Sequence, residues 1–301
     1  MNVGLAYAAA LESALPEGVF QLVPGWGETG RSLCLHPAVR SVCFTGSVPV
    51  GTALAVELAA DYSKSLALEL GGKNSVIVCG DADLDAAALA VADGMCLTAG
   101  QRCNATSRVL VHEGVAADFL DRLRVSLERY EPGDPMDPAT TLGPLISETA
   151  VLRYAQLVSL PESKWLLPGE CLETLSCGKR GYYVRPAVLL AGAEIDSTPL
   201  ASAETFAPVL VVETFTDDDE AVRRHEAWKF GLTASIFTSD EAGFQRIGDS
   251  LAVGNLYWNL PTTFSPSTLP FGGWGASGNG RPGGRGFIRF ATDEQSIQRK
   301  A

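Results

Sequence analysis

Apolar and polar positions follow two rhythms along this chain of 301 residues. Leu5, Ala8, Leu11 and Leu15 recur at helical spacing and predict a helix over 4–15, which Pro16-Glu17-Gly18 stops. Short apolar runs predict strands over 19–23, 39–44, 65–70, 75–78 and 108–112. Between and after them, helical spacing predicts helices over 52–60, 83–99, 116–130 and 147–157. The helix over 83–99 is expected to run straight into Gly100 and Cys103. The last third alternates strands (182–190, 209–215, 234–238, 254–258) with helices (217–226, 240–250). That alternation predicts an α/β fold.

The polar interruptions carry further information. Gly25-Trp26-Gly27-Glu28-Thr29-Gly30 fits G-x-G-x-x-G, yet no acidic residue closes a strand at the distance a ribose would require, so it reads as a tight loop. Thr45-Gly46-Ser47 joins a strand to a helix start, which suits a phosphate because the first N–H groups of a helix lack partners. Taken alone, it reads rather as an ordinary strand-to-helix turn. A polar loop rich in Pro and Asp covers 132–138. From Pro270 the chain is dense in glycine, and the interleaved Phe271 and Trp274 favour closely packed backbone over a flexible linker.

Composition narrows the function classes. Apolar residues make up 46% and charged residues 19%, which is a globular balance. Asp plus Glu outnumber Lys plus Arg by 35 to 23, and the net charge of −12 disfavours nucleic acid and anionic membrane as partners. No apolar run reaches membrane-spanning length, and Met1-Asn2-Val3-Gly4 begins no signal peptide. Seven cysteines without paired spacing argue against a disulfide framework and for a reducing cytoplasm. Three scattered histidines give a metal site or a Ser-His-Asp triad little to build on.

The remaining chemistry lies with Cys and Glu. Gly100-Gln101-Arg102-Cys103 offers a thiol on a glycine-containing turn, and Glu69-Leu70-Gly71-Gly72-Lys73 offers a carboxylate at the end of an apolar run. Such a pair suits attack of a cysteine on a carbonyl, with a glutamate activating the water that releases product. Taken singly, a lone Cys is more often a small buried hydrophobe and a lone Glu a solvated surface group.

The ordered series Phe44-Thr45-Gly46-Ser47, Glu69-Leu70-Gly71-Gly72-Lys73, Gly100-Gln101-Arg102-Cys103, Glu204-Thr205-Phe206-Ala207-Pro208 and Pro270-Phe271-Gly272-Gly273 resembles the NAD(P)-dependent aldehyde dehydrogenases over essentially the whole chain. The resemblance implies a partial Rossmann-type nucleotide-binding domain (1–70), an α/β catalytic domain (71–270) and a glycine-rich segment (271–301) returning towards the cofactor side and an oligomer interface. It implies that Cys103 attacks the aldehyde to give a thiohemiacetal, that hydride passes to NAD or NADP, and that Glu69 activates the water that hydrolyses the thioester. The backbone N–H of Cys103 would serve the oxyanion hole. Gly46 and Ser47 would face the cofactor pyrophosphate, and Glu204 the nicotinamide ribose with Phe206 beside it. No metal is implied, and a homo-oligomer or a partner chain is. Asn255-Leu256-Tyr257-Trp258-Asn259 and Ser277-Gly278-Asn279-Gly280-Arg281-Pro282 resemble the succinylglutamate-semialdehyde dehydrogenase branch.

Departures from the family pattern set further expectations. Members carry a long segment before the position of Met1, with the first strands of the nucleotide-binding sheet and an Asn that completes the oxyanion hole, so the resemblance implies an N-terminally truncated member. Loss of such a donor costs roughly 3–4 kcal/mol in comparable sites, and an unpaired apolar sheet edge is expected. An inactive paralogue serving as partner of a full-length relative, and cofactor-independent ester hydrolysis, stand beside aldehyde oxidation. Ala207 replaces the usual Gly and Ser75 the usual Pro.

Overall fold

The computed structural model describes residues 2–160, 164–191, 195–196 and 198–300. The chain opens with α1 (Asn2–Ala14), α2 (Gly27–Leu35), β1 (Ser41–Thr45), α3 (Val48–Leu58) and β2 (Ser65–Glu69). There follow β3 (Asn74–Val78), α4 (Leu84–Cys96), β4 (Thr106–His112), α5 (Ala116–Leu127), α6 (Glu148–Val158), β5 (Lys164–Thr174) and β6 (Arg180–Leu190). The remainder holds α7 (Pro199–Ser202), β7 (Val209–Phe215), α8 (Asp218–Glu226), β8 (Phe230–Gly231), β9 (Thr233–Phe237), α9 (Glu241–Gly248), β10 (Asn255–Trp258), β11 (Trp274–Gly275), β12 (Gly278–Asn279) and α10 (Phe287–Ala291).

A seven-stranded sheet in the order β10-β9-β3-β4-β7-β6-β5 forms the centre, parallel throughout except for β5. Its central strands are apolar on both faces because helices cover both. Val76 and Val78 of β3 pack with Ala88 and Val91 of α4 and Phe119 and Leu123 of α5, whereas Ile77 packs with Ala221 of α8 and Ile247 of α9. Side-chain caps explain where several helices start. Asp83 accepts from the N–H groups of Asp85 and Ala86, Ser147 from Ala150, Asp217 from Glu220, and Asp240 from Ala242 and Gly243.

A second sheet, β1-β2-β12, carries the rest of the site. β1 and β2 run parallel in register, Thr45 opposite Glu69, and β12 adds antiparallel with Gly278 opposite Glu69. The glycine-rich tail thus returns to the strand that bears Glu69. Among the described residues the outer edge of β1 has no strand partner.

The architecture is the expected α/β one, with local corrections. Residues 19–23 form no strand: Val19, Leu22 and Val23 are exposed, and an extended segment without a neighbour has nowhere to place its backbone hydrogen bonds. The G-x-G-x-x-G segment is no loop throughout, because α2 begins at Gly27 with Glu28 in its first turn, where a carboxylate favours the helix dipole. Helix α3 starts at Val48 rather than 52, with Pro49 in its first turn, where a missing N–H costs nothing. Helix α4 ends at Cys96, and Thr98 (φ 56), Ala99 (φ 52) and Gly100 (φ 69) make a left-handed turn before Cys103. Strand β5 was not anticipated, since Pro168 and Gly169 interrupt its pattern; as an edge strand it tolerates both.

Candidate active site

The site is assembled on the link between the two sheets, Leu70 to Lys73, where β2 passes into β3. Two glycines there lie close against their neighbours. A Cβ on Gly71 would stand 2.4 Å from a carboxylate oxygen of Glu204, and one on Gly72 would stand 2.8 Å from the carbonyl oxygen of Cys103. The Gly72 N–H donates to Glu204 Oε1 at 3.4 Å. The Gly-Gly pair is therefore wedged between the Glu204 side chain and the backbone of the cysteine.

Asn74, at the start of β3 and 2% exposed, fixes the cysteine loop. Its Nδ2 donates to the carbonyls of Cys103 and Ala105, both at 2.8 Å, and its Oδ1 accepts from the Thr233 N–H at 3.2 Å. From the other side the left-handed Gly100 lies so close to Ala207 that a Cβ would meet its carbonyl at 2.5 Å. Ala207 is absent from the residues with positive φ, so alanine in place of glycine is free of backbone strain there.

Electrostatics ties three of the expected residues together. Burial, followed by the negative charges of Glu204 and Glu69, raises the Cys103 thiol above its usual value and keeps it protonated at neutral pH. Burial lifts Glu69 to about 7, against the pull of Arg281, and its Oε1 is buried without a hydrogen-bond partner. Burial also raises Glu204, opposed by the Gly72 N–H and by the charges of Arg153 and Lys73. A buried thiol that stays protonated and a carboxylate whose proton affinity is near neutral pH thus sense one another.

A cleft of about 630 Å³ lies beside them, in which Ser47 and Pro49 of the α3 N-terminus meet Arg153, Glu204, Trp228 and Phe230. Ser47 and Glu204 line it; Gly46 adjoins it in sequence, while Phe206, 40% exposed at φ 50, does not border it. Cys103 and Glu69 also lie outside its lining. Gly46 has its own steric reason: a Cβ would meet the Phe44 ring at 2.4 Å, while its N–H donates to the Glu69 carbonyl at 3.1 Å and joins the turn to β2.

Several participants carried no signal of their own. Lys73, 3% exposed, holds an unpartnered Nζ 5.4 Å above the Trp228 ring, and burial with help from Arg108 lowers it to about 7. Arg108 stacks on the same ring at 3.7 Å and pairs with Glu213 through two hydrogen bonds of 2.7 and 3.0 Å. Arg153 donates to the Glu204 carbonyl. The motif placed Lys73 and Asn74 beside the site, but only their long-range contacts assign them work. All seven cysteines are free, and among the described residues no group of His, Cys, Asp or Glu is arranged to hold a metal ion. Among those residues no helix is long and apolar enough to cross a membrane.

The profile of the aldehyde dehydrogenase family matches residues 2–297. The chain belongs to the aldehyde dehydrogenase family. It is 39% identical over 290 residues to betaine aldehyde dehydrogenase of Rhizobium etli (strain CIAT 652), covering 95% of this chain and 58% of that protein. The structure superimposes on NAD-dependent aldehyde dehydrogenase from Sinorhizobium meliloti with a TM-score of 0.88 at 36% identity, over 96% of this chain and 57% of that one. It likewise superimposes on the indole-3-acetaldehyde dehydrogenase of P. syringae in complex with NAD+ and IAA, with a TM-score of 0.85 at 30% identity, over 95% and 57% of the two chains. The chain thus spans less than three fifths of each of these three relatives.

Proposed function

We propose that this chain carries the thiol chemistry of an aldehyde dehydrogenase, oxidising an aldehyde to a carboxylic acid with NAD or NADP. The observation that carries the reading is the arrangement around Gly71 and Gly72, with the Cys103 backbone on one side, the Glu204 carboxylate on the other and Glu69 at the end of the preceding strand. In this reading residues 1–70 supply part of the nucleotide-binding unit, 71–270 the catalytic unit, and 271–301 a return segment.

Cys103 is the nucleophile. Its deprotonation falls to Glu69, whose buried carboxylate is near 7 and accepts a proton at neutral pH. Attack on an aldehyde carbonyl gives a thiohemiacetal whose oxyanion the Cys103 N–H is suited to receive. A bound nicotinamide supplies the hydride acceptor. The thioester that remains is hydrolysed by a water from which Glu69 takes a proton. The cleft fits the cofactor: the α3 N-terminus has no side-chain cap to occupy its first N–H groups, and a carboxylate suited to a ribose diol projects into the same space. Gly46 and Ser47 would hold the pyrophosphate and Glu204 the ribose; Phe206 follows Glu204 by two residues but lies outside the lining.

The resemblance of 255–259 and 277–282 favours a semialdehyde such as succinylglutamate semialdehyde, and the R. etli relative favours a betaine aldehyde. NAD(P)H formation with both, against Cys103→Ala and Glu69→Gln, tests the reading. Turnover that survives Cys103→Ala would sink it. A second reading, an inactive paralogue that binds a full-length relative or its own copies in the cytoplasm, draws on the unpaired edge of β1 and the exposed Val19, Trp26, Val56 and Tyr62. It predicts no reduction of NAD or NADP with either aldehyde by the folded chain.

A further inference from the structure

The turn after β12 places Arg281, which holds a second unpaired polar atom, across Gly272 from Glu69. Arg281 follows Gly280 and adopts φ 40, a left-handed conformation that costs a side-chain-bearing residue roughly 1–2 kcal/mol. Its Nη2 is anchored by the carbonyls of Gly254 at 2.5 Å and Pro270 at 3.4 Å. The same anchoring leaves Arg281 Nε buried without a partner, as Glu69 Oε1 is. Gly272, at φ 145, lies between the two residues. A Cβ there would stand 2.4 Å from Glu69 Oε1, 3.0 Å from Arg281 Cα and 3.1 Å from Arg281 Cγ. The pairing of Gly278 with Glu69 leads the chain into this position.

We infer that Arg281 is a positioning residue for Glu69: its guanidinium, held across Gly272, supplies the positive charge beside the carboxylate that serves as base. This rests on the reading of Glu69 as base and Cys103 as nucleophile. The other titratable groups that sense Glu69 are the thiols of Cys43 on β1 and Cys103, both raised by burial and so uncharged at neutral pH. Arg281 is therefore the cation that opposes desolvation of the base. A strained arginine retained beside a buried carboxylate fits the tendency of backbone strain to collect at working sites.

The test uses the purified chain and 4-nitrophenyl acetate, with no cofactor. The Cys103 thiolate attacks the ester carbonyl and expels 4-nitrophenolate, leaving an acetyl thioester. Water then adds to the thioester carbonyl as Glu69 takes its proton. Acetic acid leaves as the thiolate reforms, and Glu69 returns its proton to solvent. Because Glu69 works only when ionised, the deacylation rate climbs as pH rises through about 7. Arg281→Met keeps the stem and removes the charge, and it is expected to move that midpoint up by roughly one pH unit, slowing deacylation at pH 7 by about fivefold. Arg281→Lys restores a cation and is expected to keep the midpoint within a few tenths of the parent. The nitrophenolate burst should keep its amplitude in both variants, which a merely structural role would not predict alongside a shifted midpoint.

A Cys103-dependent burst with an unmoved midpoint in Arg281→Met overturns the inference alone. A burst that survives Cys103→Ala overturns the underlying assignment and the inference with it. Where Arg281→Met does not fold, Arg281→Lys decides, and a shift of a full unit despite the retained charge overturns the inference.

Discussion

Asn74→Ala removes the side chain that holds the cysteine loop, and its cost follows from the contacts. The carbonyls of Cys103 and Ala105 lose donors at 2.8 Å, and the Thr233 N–H loses an acceptor at 3.2 Å. Each buried polar group left unpaired costs about 1–3 kcal/mol. Three of them, at the low end because water can enter the small space vacated, give about 3 kcal/mol. With an unfolding entropy of roughly 2.1 cal/mol/K per residue, that lowers Tm by about 5 °C. Asn74→Asp is expected to do no better, since it sets an oxygen against two carbonyl oxygens while keeping only the acceptor for Thr233. Both variants should also slow Cys103 acylation by 4-nitrophenyl acetate on the order of tenfold or more, because a nucleophile displaced by a fraction of an ångström loses its alignment. Thermal denaturation and burst kinetics read the two effects separately. A Tm within 1 °C of the parent together with an unchanged burst rate would refute the role given to Asn74.

Two other substitutions probe neighbouring contacts. Gly71→Ala places a Cβ 2.4 Å from the mobile end of Glu204, so stability should change by less than about 1 kcal/mol, while affinity for NAD or NADP, followed by fluorescence titration, falls severalfold. Glu213→Gln strips the charge partner from Arg108, which is 1% exposed, and should cost about 3–5 kcal/mol in urea denaturation; a loss below 1 kcal/mol would show that Arg224 and the Trp228 ring do not need it.

The parts of the fold that could be read in the sequence are those where local pattern and burial agree. Strands β3, β4, β7 and β9 are apolar runs because both faces are covered, and the caps at Asp83, Ser147, Asp217 and Asp240 announce their helices. What escaped depends on contacts distant in sequence or on backbone with no side-chain signature. Thr98 and Ala99 are left-handed although neither residue type asks for it; the turn is enforced by the fit of Gly100 against Ala207. Strand β5 hides behind Pro168 and Gly169. At the site, Cys103, Glu69, Gly46, Ser47, Glu204 and Phe206 could be named through the family resemblance, yet the positions divide them. Ser47 and Glu204 share a cleft, Cys103 and Glu69 lie off it, and Phe206 turns outward. The tasks of Asn74, Lys73 and Arg281 could not be read in advance, because each depends on an atom supplied by a remote segment.

The pairing of β12 with β2 also sets a schedule. A ribosome delivers Glu69 and Cys103 long before Gly278, the residue of β12 that pairs opposite Glu69, and before Arg281. Long-range pairing of this kind forms late, since the intervening loop must close first. Until Gly278 and Asn279 have emerged, β2 holds Glu69 beside β1 alone, without its antiparallel neighbour.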